Sequence, residues 1–131
     1  MKHVKEIRIL NLDVPSGSLL NDDLQFFSSC LGMFGKRDRE KSCFRIFVHL
    51  LRENDSLSSE ELAQMSNLSR ATVIHHASRL IDSGLVKKRG NAYLLRFRKL
   101  EDLTREIEKD VSSTFKRLRM MSRKIDEELG R

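Results

Sequence analysis

Seven basic side chains lie between Leu68 and Arg98: Arg70, Arg79, Lys87, Lys88, Arg89, Arg96 and Arg98, against one acid, Asp82. Guanidinium and ammonium groups at that density do one kind of chemistry well, the pairing of phosphate or carboxylate oxygens through charge-assisted hydrogen bonds. The net of +6 in this stretch equals that of the entire chain, so the remainder balances at 18 basic and 18 acidic residues. An excess confined to one segment points to a polyanion as its partner. Catalysis has no comparable set. The sequence holds no Gly-rich phosphate loop, no His-Glu-x-x-His helix, no Gly-x-Ser-x-Gly elbow and no suggestive nucleophile–base or carboxylate pair, so no enzyme is expected. Cys30 and Cys43 are too few and too far apart for a disulfide framework or a Cys-x-x-Cys site, and read as two buried reduced thiols. His75 and His76, being adjacent, point about 100° apart on a helix and make a poor metal pair. No metal or other cofactor is expected.

The cations need a scaffold, and the surrounding sequence supplies one. Ser58-Ser59-Glu60-Glu61 has the form of a capping box, with Leu57 placed to act as its hydrophobic staple. The short helix it opens should end at Ser66-Asn67, since Asn tolerates the left-handed conformation of a sharp turn. Ser69 then caps a second helix running to about Ser83, with Val73, Ala77, Leu80 and Ile81 on its core face and Gly84 as its stop. His76 falls on the inward side, as a packing residue. Leu85 to Lys88 and Tyr93 to Arg98 read as two strands joined by Arg89-Gly90-Asn91-Ala92. Two short strands after a helix-turn-helix make a winged helix.

Around this unit, Val4 to Val14 is β-branched and leucine-rich and predicts a strand, broken by Pro15-Ser16-Gly17-Ser18. A helix from near Asn21 to Gly35 carries Leu24, Phe27, Leu31 and Phe34, with Asp22 and Asp23 at its positive end. Lys36 to Asn54 is a further helix with Cys43, Ile46, Phe47, Leu50 and Leu51 as its stripe. Beyond Leu100, nine apolar residues (Leu100, Leu103, Ile107, Val111, Phe115, Leu118, Met121, Ile125 and Leu129) recur at an average near 3.6, the period of a straight helix. Such a helix is about 45 Å long, more than one small domain can cover, and a second copy of the chain is the most economical cover. Leu103, Ile107, Val111, Phe115, Leu118 and Ile125 are the expected dimer contacts, with packing on the N-terminal helix as the alternative. The fold class is therefore mainly α with a small β wing: a winged helix-turn-helix at 36–98, an N-terminal strand–helix extension at 1–35 and a dimerisation helix at 99–131. With no long apolar run and no leader pattern, the protein is expected in the cytoplasm, away from membranes.

From Phe44 to Phe97, about two-fifths of the chain, the sequence resembles the ArsR and MarR groups of prokaryotic winged-helix transcription regulators. The resemblance rests on Arg45-Ile46 and Leu50-Leu51, on Ser58-x-x-Glu61-Leu62-Ala63, on Leu68-Ser69-x-x-Thr72-Val73-x-His75-His76, and on Leu80-x-x-x-Gly84-Leu85-Val86. It implies a DNA-binding regulator. The Cys-x-Cys ligand set of metal-sensing ArsR members is missing, so metal sensing does not carry over. The N-terminal extension lies outside the resemblance and leaves room for a distinct, archaeal subfamily.

In a winged helix the second helix reads base edges in the major groove and the wing holds the backbone. Ser69, Arg70, Ala71, Thr72, His75 and Arg79 are the expected reading positions, with Arg70 able to donate two parallel bonds to guanine. Lys87, Lys88, Arg89 and Asn91 are the expected wing contacts, and the helix end at Ser58 and Ser59 offers a further phosphate site. Double-stranded DNA and a second copy of the chain are the implied partners; no effector is identifiable. Two other functions stay open, a winged-helix module docking a protein partner and a non-specific architectural DNA binder.

Overall fold

A computed structural model describes residues 4–16, 19–33, 41–53 and 55–131. Its elements run α1 (Leu20–Cys30), α2 (Ser42–Arg52), β1 (Leu57–Ser58), α3 (Ser59–Ser66), α4 (Arg70–Asp82), β2 (Val86–Arg89), β3 (Ala92–Leu95) and α5 (Leu100–Glu128). The strands form one antiparallel sheet in the order β1-β3-β2. This is a winged helix with a long C-terminal helix.

The apolar periodicities meet in one core. Ile46, Phe47 and Leu50 of α2, Leu62 of α3, and Val73, Ala77 and Leu80 of α4 are all buried, closed over by Leu57, Val86, Tyr93 and Leu95 from the sheet and by Leu85 just before β2. Each large side chain buried this way contributes about 1.5–3 kcal/mol relative to exposure. Met33 and the first turns of α5, through Leu103 and Ile107, join the same cluster, so the core runs across the boundaries at 35/36 and 98/99. Phe27 of α1 stacks on Phe47, ring centroids 6.0 Å apart. Cys43 is buried and Cys30 half-buried, both as free thiols.

The N-terminal strand does not form. Residues 4–15 have no regular secondary structure, and their amides go elsewhere. Lys5 and Glu6 both donate to the Asp82 carbonyl, at 2.7 and 3.1 Å, and Leu10 donates to the Cys30 carbonyl at 2.7 Å. Asp82 and Cys30 are the last residues of α4 and α1, where carbonyls lack intrahelical donors. The segment therefore caps two helix ends instead of joining a ladder. Val4 and Ile7 pack on the core, while Ile9, Leu12 and Val14 stay exposed because no second layer covers them.

Two helix boundaries also differ from expectation. α1 stops at Cys30 and turns through Gly32 at φ +70°, and the predicted stop at Gly35, with Phe34, lies outside the described residues. The described part of α2 begins at Ser42, after a left-handed Lys41, and the expected start at Lys36 lies outside the described residues. The remaining stops fall as read. Asn67 is left-handed at φ 53°, and Gly84 has φ +82°.

Candidate nucleic-acid interface

The pair α3 and α4 is held at three points: the start of α3, its end, and the start of α4. The Ser58 hydroxyl accepts from the Glu61 amide while the Glu61 carboxylate accepts from the Ser58 amide, both at 3.0 Å, completing the capping box. Arg45 of α2 donates to the Ser66 carbonyl at 2.9 Å. Ser69 caps α4 by accepting from the Thr72 amide at 3.1 Å, and its hydroxyl lies 2.8 Å from Thr72 Oγ1. The start of α4 is thus tied by hydrogen bonds at the surface.

With Val73, His76, Ala77 and Leu80 buried, α4 turns Ala71, Ile74, His75 and Ser78 outward. Ala71 and His75 were expected on this face; Ile74 and Ser78 were not. Helical periodicity counted from Ala71 would have found both, but Ile74 reads as core by residue type. Thr72 is half-buried and engaged with Ser69. Arg70 sits at the edge of the face, its Nε donating to Ser59 Oγ at 3.1 Å and its Nη1 lying 3.9 Å from Glu60. Arg79 lies at the far end of α4, lining a cavity with Glu6, Arg8 and Asp82.

The wing presents its cations on two faces. Lys87 and Arg89 pair with Leu94 and Ala92 on one side of the hairpin, whereas Lys88 pairs with Tyr93 and holds its ammonium 5.9 Å from that ring. Arg89 also pairs with Asp55 at 3.3 Å across an exposed surface. Gly90, at φ +62°, makes the tight turn, and Asn91 follows it at the exposed tip.

Three residues do not sit as expected. Ser59 is buried and its hydroxyl is taken by Arg70, while Glu60 and Glu61 place two carboxylates at the first turn of α3. That helix end therefore carries two carboxylates, whose charge opposes a phosphate at Ser58 and Ser59. Arg96 belongs to the basic excess by count alone. Its side chain is only 7% exposed and its Nη1 binds the Asp110 carboxylate of α5 at 2.9 Å. It braces the wing against α5 and is withdrawn from the surface.

The expected dimer stripe divides. Leu103 and Ile107 are buried in their own chain's core and Val111 packs against it, so the first two are unavailable to a partner. Phe115, Leu118, Met121, Ile125 and Leu129 are each about half exposed or more, and every residue from Ser112 onward is exposed. Among the described residues no cluster of His, Cys, Asp or Glu is arranged to hold a metal ion, and no helix is long and apolar enough to cross a membrane.

Residues 48–87, from within α2 to the start of β2, match a family model described as winged helix-turn-helix DNA-binding. No curated protein and no solved structure matches the chain significantly. The match covers the α3–α4 turn and the whole of α4, and it supports a DNA-binding regulator.

Proposed function

We propose that this chain is a sequence-specific, double-stranded-DNA-binding transcriptional regulator of ArsR/MarR-like type that acts in the cytoplasm as a homodimer. The observation that carries the reading is the outward face of α4, rigidly capped and flanked by the wing cations, within the segment that matches a DNA-binding winged helix. Ala71, His75 and Ser78 are short or polar enough for close approach to base edges, and Ile74 suits a thymine methyl. Arg70 is 63% exposed at its side chain and its contact to Glu60 is a weak surface pair, so a guanine edge competes for it effectively. Lys87, Lys88, Arg89 and Asn91 hold the phosphate backbone, which sets register without reading sequence. Arg79 and Thr72 act at the margins of the site, Thr72 through the cap it shares with Ser69.

The homodimer forms through α5 beyond Val111, where Phe115, Leu118 and Ile125 face solvent in the single chain. Two reading helices related by a two-fold axis would meet half-sites about 34 Å apart. The test is selection of bound duplexes from a random library at two salt concentrations. A palindromic motif of about 12–20 base pairs that is lost in Arg70→Ala supports the reading. Binding without enrichment, equally weakened for all duplexes by Arg70→Ala, would make the protein an architectural binder. Capture of one protein with no salt-sensitive DNA binding would make it an interaction module.

A further inference from the structure

The projecting half of α5 carries a second basic surface. Between Asp110 and Asp126 the helix has five cations (Lys116, Arg117, Arg119, Arg123 and Lys124) and no acid. All five are exposed. The first half of the helix behaves differently: Arg105 pairs with Glu101 and Asp102 at 3.1 and 3.5 Å, and Lys109 with Glu106 at 3.2 Å. Among the described residues none of the five later cations makes an ion pair; Arg117 donates to the neutral Ser113 and Thr114 hydroxyls. At about 100° per residue the five cluster on the side of the helix opposite Val111, Phe115, Leu118, Ile125 and Leu129. One face is therefore apolar and the other mainly cationic, with the exposed Met120 within it and Glu127 one turn beyond Arg123 at its end.

We infer that this outer face of α5 is a second nucleic-acid surface, which holds phosphate backbone without reading sequence. Lys116 to Lys124 extend over about 12 Å of helix, and a duplex presents one charge per roughly 1.7 Å of its axis, so several phosphates fall within reach of the five side chains. An anionic membrane surface is the competing ligand for a basic amphipathic helix, but it needs the apolar face free to enter the acyl boundary. In the homodimer that face is covered by the second copy, while the cationic face stays open.

The inference rests on the DNA-binding reading above, and the experiment separates the two. Binding of the full chain to a long duplex is measured across a salt series, beside two variants. One carries Lys116→Gln, Arg117→Gln, Arg119→Gln, Arg123→Gln and Lys124→Gln together, Gln being close to Lys and Arg in helix preference. The other carries Lys87→Gln, Lys88→Gln and Arg89→Gln. The α5 variant is expected to keep its helix content and oligomeric mass, keep its sequence preference, and lose at least about 2 from the magnitude of the log K against log salt slope. An unchanged slope in the α5 variant, with a reduced slope in the wing variant, overturns the inference and leaves the DNA-binding reading standing. Loss of binding to anionic vesicles with no change in DNA slope also overturns it, in favour of a lipid surface. If the unaltered chain shows no salt-sensitive DNA binding, both readings fall.

Discussion

Arg70 carries most of the weight at the scale of single residues. Its guanidinium is parked on Ser59 Oγ and faces Glu60, yet it remains largely exposed at the edge of the reading face. Arg70→Ala is expected to cost about 1–3 kcal/mol of discrimination between the selected duplex and one altered at the contacted base pair, read by competitive fluorescence anisotropy. Ser59→Ala, which removes only the tether, should leave that discrimination within a few-fold of the original. A second residue-scale effect lies away from the interface. Burial first, then the guanidinium groups of Arg45 and Arg52, holds the His49 imidazole below its ordinary value of 6.5, against an upward pull from Glu53. The unfolded chain therefore takes up a proton at His49 at a higher pH than the folded one. The stability involved is complete above about 6.5 and is lost as pH falls from there through the folded value. Thermal melts between pH 7.5 and pH 5 should show a decline that is shallower in His49→Gln, and equal slopes for the two proteins would exclude this site as a source.

Among the elements, α3 and α4 both start at caps whose partners are local. Ser58→Ala leaves the Glu61 amide without its acceptor and should cost about 1 kcal/mol, seen as a lower urea midpoint at unchanged slope. Such local devices are the part of the fold legible from sequence: the capping box, the left-handed Asn67, the Gly84 stop and the hairpin at Gly90 each depend on residues a few positions apart. Longer-range facts are not. Residues 4–15 carry strand-forming side chains, but their amides meet carbonyls at the ends of α4 and α1, an arrangement fixed only when those helices pack. Val4 illustrates the constraint, since a Cβ at Gly84 would lie 2.7 Å from its Cγ2. Arg96 counted toward the basic excess because Asp110, its partner, lies 14 residues on and outside that stretch. The outward set on α4 was half legible, Ala71 and His75 by position, while Ile74 was hidden by its own hydrophobicity.

For the molecule as a whole, the decisive feature is that α5 serves two environments. Its first turns complete the chain's own core through Leu103 and Ile107, and the Arg96–Asp110 pair braces it to the wing. The remainder, residues 112–128, projects about 25 Å with every side chain exposed. A helix of that length is marginal in water without a packed face. The exposed stripe from Phe115 to Leu129 is thus the face that the proposed self-association would cover. The two halves should respond oppositely to substitution. Leu103→Ala opens a cavity in the body and is expected to lower unfolding stability by about 2–5 kcal/mol. Phe115→Asp with Ile125→Asp should leave the melting of the body nearly unchanged and convert the proposed dimer to a monomer by light scattering. Paired half-sites would then be bound one at a time, with affinity for a palindromic duplex falling toward that for a single half-site. A double variant that keeps the dimer mass would place the interface elsewhere on the chain. A double variant that loses both mass and folded body would mean that the outer half of α5 is needed by the core after all.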